Sequence, residues 1–156
     1  GIGFDGYVVS KVDAYKNLGA VAYLLGAFIS LFSFKNFKSK VSINSEYICG
    51  ETLMILVGLC KYSGGGMQLT DAPDPFDGLL DVSVAKNFSK IDILKNLTKL
   101  FNGKINSIKK VQTLKATSIK INIDQNEFPF IQADGELVGV GAINITLIPK
   151  AFSFYC

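Results

Sequence analysis

The sequence predicts a β-rich α+β fold. Three observations carry that reading. Short segments such as Lys40 to Ile43 and Ile119 to Ile123 place apolar residues at every second position, the strand period. The run Thr52 to Lys61 is apolar on both faces, as a strand inside a sheet would be. A clear helical repeat with its own start and stop signals appears after Ser89.

The elements follow in order. Leu18 to Phe34 is an uncharged stretch of 17 residues. That is the short limit for crossing a bilayer, and Gly19, Gly26, Ser30 and Ser33 lower its hydrophobicity. It predicts one long helix buried against the sheet. Lys35, Lys38 and Lys40 follow it and read as a solvated turn or as a rim facing a membrane. Lys40 to Ile43 is a short strand with Val41 and Ile43 on one face, and Thr52 to Lys61 is central in the sheet. Leu80 to Lys86 is another strand.

Ser89, with Asp92 three residues on, forms an acidic capping-box pattern, and Gly103 is a good stop. The helix between them is amphipathic. Ile93, Leu94, Leu97, Leu100 and Phe101 should be its buried face, with Lys90, Lys95 and Lys99 in water. Ile119, Ile121 and Ile123 mark a half-buried strand. Phe128 to Ala133 and Ile143 to Ile148 complete a β-rich end. No repeat, low-complexity tract or linker interrupts the chain, so residues 1–156 read as a single domain.

Composition narrows the chemistry. Sixteen lysines and no arginine face thirteen acids, for a net charge of +3. A mildly basic surface suits an anionic membrane face or phosphate and is also common in ordinary proteins. Bidentate clamping of a phosphoryl group usually falls to arginine, so that role would lie outside this chain. With no histidine, a general base near neutral pH would be a carboxylate, and no common zinc site can be completed. Cys49, Cys60 and Cys156 form no CxxC pair. Cys49 and Cys60 read as small buried hydrophobes in a reducing cytoplasm. No secretory signal is visible.

The carboxylates worth following lie in three places. Phe130-Ile131-Gln132-Ala133-Asp134-Gly135-Glu136 sets two acids around a glycine after an apolar run. Asp71-Ala72-Pro73-Asp74-Pro75-Phe76-Asp77-Gly78-Leu79-Leu80-Asp81 follows the glycines Gly64, Gly65 and Gly66. The chain opens Gly1-Ile2-Gly3-Phe4-Asp5-Gly6. Each has a plain reading. Asp134-Gly135 is a strong two-residue hairpin signal. Asp74 to Leu79 could be a proline-rich surface loop, and Asp5 could cap a turn. The triple glycine lacks the Gly-Lys-Ser/Thr ending of a phosphate loop.

Together these segments resemble the C-terminal domain of the soluble bacterial diacylglycerol kinases and their lipid-kinase relatives, which include the sphingosine kinases. The resemblance runs from Gly1 to about Lys150. It implies the β-sandwich-like C-terminal domain of the NAD kinase/diacylglycerol kinase-like fold. It implies Asp134 as general base for a lipid hydroxyl attacking the γ-phosphate of ATP, with Glu136 in support. It also implies a structural magnesium ion, Mg2+, held by the Asp77 carboxylate and the carbonyls of Asp74 and Leu79. Beside that resemblance, Gly64, Gly65 and Gly66 read as a flexible loop shaping the substrate cleft, and Asp5 could point into the same cleft or equally cap a turn. The implied partners are a diacylglycerol-like alcohol, ATP and a peripheral membrane surface on the cytoplasmic side, with no nucleic acid.

The family's Gly-Gly-Asp-Gly-Thr motif is absent from this sequence. The chain is therefore expected to be a C-terminal domain without its nucleotide-binding partner, inactive alone. A sphingoid-base kinase, or a lipid-binding or interaction domain that kept the fold and lost the chemistry, stay open as alternatives.

Overall fold

The computed structural model describes residues 1–12, 30–63 and 66–151. Among the described residues nine strands form one sheet. They are β1 (Ile2–Gly3), β2 (Phe37–Ile43), β3 (Glu46–Gly58), β4 (Leu80–Lys86), β5 (Val111–Ala116), β6 (Ser118–Ile123), β7 (Phe130–Ala133), β8 (Glu136–Val140) and β9 (Ile143–Thr146). Helices α1 (Phe4–Val12) and α2 (Lys90–Asn96) are among the elements that accompany them. The strand order is β8-β7-β1-β3-β2-β6-β9, with β4 joined to β3 and β5 joined to β4.

The organising strand is β3, whose 13 residues serve two halves of the sheet. Glu46 to Thr52 pairs with β2, and Thr52 to Gly58 pairs with β4. Ile55 and Met54 also pair with Ile2 and Gly3 of β1. The register shifts between Thr52 and Met54, where the strand passes from one set of neighbours to the other. Val41, Ile55 and Val84 lose all solvent exposure in the core, joined by Ile2, Val82 and Ile121. Each such side chain stabilises by about 1.5–3 kcal/mol on burial. β4 is buried on both faces until Lys86, as a strand covered on both sides must be.

Sequence and structure agree on β4, on β2 and β6 as alternating strands, and on β7 and β9. The β-rich sandwich-like fold class is thus the one observed. The capping box also forms. Ser89 Oγ and backbone N donate to Asp92 Oδ2 at 2.7 and 2.8 Å, and Asp92 N donates back to Ser89 Oγ at 3.2 Å. The buried face expected of that helix does not form. No residue of α2 is buried, and Leu94 and Phe101 are exposed. After Asn96 the chain tightens into a 3-10 turn, Leu97–Leu100. The change from 3.6 to 3.0 residues per turn splits the apolar stripe that the sequence spacing drew on one face.

Cys49 and Cys60 are exposed, not buried. Cys49 pairs across the sheet with Lys40 on its polar face, and Cys60 lies in the bend after β3. Most of the long helix expected over Leu18 to Phe34 lies outside the described residues, as does Cys156. Residues 30–33 are helical, and Ser30 is fully buried. Among the described residues no helix is long and apolar enough to cross a membrane.

Candidate functional site

β7 and β8 form a hairpin closed by Asp134 and Gly135, with Ala133 facing Glu136. Both turn residues have positive φ, +50° and +88°. That is the primed turn that a two-residue loop needs to follow strand twist, and Asp-Gly supplies it with least strain. Helix α1 lies against β7 so closely that a Cβ on Gly6 would stand 2.5 Å from the Phe130 carbonyl oxygen. Gly1 and Gln132 exchange two backbone hydrogen bonds of 2.8 Å, which locks β1 and the start of α1 to the hairpin.

The side chain of Gln132 completes this link. Its Nε2 donates to Asp5 Oδ2, and its Oε1 accepts from the Gly135 N–H at 3.0 Å. One amide thus fixes both the first turn of α1 and the tip of the hairpin. Sequence reasoning passed over Gln132. The available signal was a polar amide inside the apolar run Phe130 to Ala133.

These groups border a cavity of about 840 Å³. Leu56, Leu69, Leu80, Ile143 and Ile145 supply apolar wall, and Asp5, Gln132 and Asp134 supply polar atoms at one side. The volume and the mix of apolar wall with few polar groups suit a small organic ligand. Asp134 is exposed. Like Glu136, and unlike Asp5, Asp71, Asp74, Asp77 and Asp81, its carboxylate is neither hydrogen-bonded nor ion-paired in any contact found among the described residues. It is therefore free to accept a proton or hydrogen bond from something in the cavity.

The structure brings Asp5 and Asp134 together and leaves other expected residues apart. Glu136 begins β8, exposed and off the cavity wall. Gly64 and Gly65 lie outside the described residues. Gly66 does not line the cavity, but it sits in a loop whose stem does: Ser63 and Met67 pair through bonds of 2.8 and 2.9 Å.

Asp74, Asp77 and Leu79 form a separate locus, none of them on the cavity wall. Asp74 Oδ1 accepts from the Phe76 N–H at 2.9 Å, and Asp77 Oδ1 from the Leu79 N–H at 2.8 Å. Lys115 of β5 reaches over the loop. Its Nζ stands 2.6 Å from Asp77 Oδ2 and 3.5 Å from Asp81 Oδ1. The Lys115 ammonium and the Leu79 N–H hold the Asp77 carboxyl below the usual carboxylate range. Burial pushes Asp81 the other way, above that range, against the pull of Lys115. Asp81 Oδ2 is buried without a hydrogen-bond partner. The Asp77 bond in turn raises the Lys115 amine above its ordinary value.

Oxygen donors of this kind are what magnesium accepts. Among the described residues no group of three or more His, Cys, Asp or Glu side chains gathers to hold a metal. An ion here would rest on one carboxylate and on carbonyls, and it would share that carboxylate with Lys115. The donors fit magnesium in kind once the lysine swings aside.

Over residues 1–156 the chain matches a family described as the YegS C-terminal NAD kinase beta sandwich-like domain. An uncharacterized protein of Synechocystis sp. is 25% identical over 166 residues, covering 99% of this chain and 37% of that protein. A diacylglycerol kinase of Mycobacterium tuberculosis is 24% identical over 153 residues, covering 96% of this chain and 48% of the kinase. Among solved structures, a diacylglycerol kinase from Bacillus anthracis matches with a TM-score of 0.60 at 20% identity, over 80% of this chain and 44% of that one. That likeness shows the fold. The chain spans less than half the length of these curated relatives.

Proposed function

This chain belongs to the YegS C-terminal NAD kinase beta sandwich-like domain family, and from that premise we propose that it is the acceptor-substrate half of an ATP-dependent lipid kinase. The observation that carries the reading is the unpaired Asp134 carboxylate on the wall of a largely apolar cavity. A lipid alcohol of the diacylglycerol kind enters with its chains against Leu56, Leu69 and Ile145 and its hydroxyl toward Asp134. Asp134 takes the hydroxyl proton as the oxygen bonds to the γ-phosphorus of ATP. The bond to the β–γ bridging oxygen breaks, and ADP leaves.

Gln132 holds the hairpin tip at a fixed distance from Asp5, so the base does not have to be positioned during reaction. Glu136, one residue beyond the turn, is a supporting charge at the edge of the site. The nucleotide and the countercharge for its phosphates come from the part of the parent protein outside this chain, since no arginine is present here. Asp77 with the carbonyls of Asp74 and Leu79 is the proposed magnesium site, and the ion's part is to brace the loop. ATP places the reaction on the cytoplasmic side of the membrane that carries the lipid.

The test is Asp134→Asn in the parent protein. Turnover should fall by about two to four orders of magnitude, the usual range for general-base removal. Binding of lipid and ATP should change much less. A variant that folds normally and keeps roughly half of its turnover would sink the assignment.

A further inference from the structure

We propose that the surface formed by residues 90–110 is the face by which this protein docks on an anionic membrane. It rests on the lipid-kinase reading and names how the protein reaches its substrate. Six of the sixteen lysines fall between 90 and 110, against the single acid Asp92. The other ten lysines are outnumbered by the other twelve acids. The net positive charge of the chain therefore belongs to this one segment.

The lysines there divide into two groups. Lys90 Nζ donates to the Phe32 carbonyl at 2.6 Å, and Lys110 Nζ is spent on Asp92 and the Asn87 carbonyl at 2.7 Å. Lys95, Lys99, Lys104 and Lys109 have no such partner among the described residues. Between them stand large apolar side chains that the fold leaves outside: Ile91, Leu94 and Phe101 are 62, 55 and 49% exposed.

The exposure is not looseness of the segment. Ile105 and Ile108 are buried and anchor it to the body. Asp92 and Ser89 cap its helix. Gln68 binds its far end, donating from N to the Leu100 carbonyl at 2.6 Å and from Nε2 to the Phe101 carbonyl at 3.0 Å.

Apolar side chains among uncommitted lysines suit one boundary above others. At the headgroup level of an anionic bilayer, the lysines meet lipid phosphates and the apolar groups enter the acyl region. A nucleic acid would use the charge but leave Ile91, Leu94 and Phe101 in water. The position is also apt. Met67 and Leu69, on either side of Gln68, line the cavity, so the docking face is joined to the cavity wall through Gln68.

Co-sedimentation of the protein with vesicles tests this without ATP or turnover, so docking and catalysis fail independently. The protein should bind vesicles of equal phosphatidylcholine and phosphatidylglycerol and not vesicles of phosphatidylcholine alone. Replacing Lys95, Lys99, Lys104 and Lys109 by Gln should weaken binding by roughly a thousandfold, given about 1 kcal/mol per lysine near such a surface. Replacing Ile91, Leu94 and Phe101 by Ser keeps the charge and should weaken it by at least about tenfold. Lys35, Lys38, Lys40 and Lys120→Gln removes the same charge elsewhere and should leave binding nearly intact. Thermal melts confirm that the variants fold, which their exposed positions favour. Absence of binding to the anionic vesicles overturns the proposal. So does equal loss in the control set, or a serine variant that binds vesicles and duplex DNA as the parent does.

Discussion

Two of the chain's three Asp-Gly dipeptides, Asp77-Gly78 and Asp134-Gly135, lie in loops rather than in a helix, and they do opposite things. At Asp77-Gly78 the carboxylate is spent, one oxygen on the Leu79 N–H and the other on Lys115. At Asp134-Gly135 the carboxylate has no hydrogen-bond or ion-pair partner among the described residues, and a neighbouring amide, Gln132, holds the turn instead. Both glycines take positive φ, +75° and +88°. Asp134 also has positive φ, +50°, and Asp77 does not, so the two turns differ in type. Their roles follow from what stands opposite: a lysine in one case and a cavity in the other. A carboxylate that already holds a cation contributes to structure. One that is positioned and unpaired is available for chemistry.

The same substitution at both sites separates them most sharply. Asp134→Asn should cost turnover, by about two to four orders of magnitude, and leave the melting temperature unchanged. Asp77→Asn should do the reverse, keeping turnover and melting a few degrees lower because the Lys115 pair is lost. Equal effects of the two substitutions on activity would dissolve the distinction.

Gln132→Leu comes next in size. It removes both bonds that fix the hairpin tip, and turnover should fall by roughly ten- to a hundredfold through misplacement of Asp134. Steady-state kinetics should show the loss mainly in kcat, and an unchanged kcat would mean the tip needs no such support.

A smaller effect concerns magnesium. If Lys115 competes with the ion for Asp77, Lys115→Met should enlarge the rise in melting temperature that added magnesium produces. Asp77→Ala should abolish that rise. A Lys115→Met domain with identical melts in magnesium and in chelator would remove the metal from this loop.

The smallest effect is one of pH. Asp81 binds its proton more tightly in the folded chain, so its contribution is fully present below the ordinary carboxylate value and is lost as pH rises through the raised one. Asp77 and Asp92 are lowered, so theirs is present above the ordinary value and lost as pH falls through the depressed ones. Asp81→Asn should therefore gain a degree or two of melting temperature between about pH 5 and 8 and lose that advantage in acid. An advantage that grew on acidification would reverse the assignment.

Much of this could be read from the residues before any coordinates, and the failures have physical causes. β4 matches the expected bounds because a strand buried on both faces has an uninterrupted apolar signature. The Ser89 box was visible because capping is local. β8 was not visible, because all its residues are exposed and its Gly139 carries no strand preference. α1 hid behind two glycines in a motif that reads as a loop. The apolar face of α2 was legible as a pattern but not as an exposure, since spacing cannot say whether a neighbour exists. At the site, Asp134 and Asp5 were found by residue type. The distance that joins them was not, because it depends on Gln132 in a strand more than a hundred residues away from Asp5 in sequence.

β8 has a further consequence, one of colloidal behaviour. It is an edge strand with β7 as its partner, and it shows Leu137, Val138 and Val140 to solvent. Such an edge is a template on which another copy could add strands, the first step toward aggregates. The hairpin blunts it. Ile131 faces Gly139 while Gln132 faces Leu137, so Val138 bulges out of the ladder, and Gly141 closes the strand at φ +90°. Deleting Val138 would regularise the ladder and present a straight apolar edge. The irregularity at Val138, a residue of the cavity wall, is thus also what keeps neighbouring molecules from zipping onto the strand.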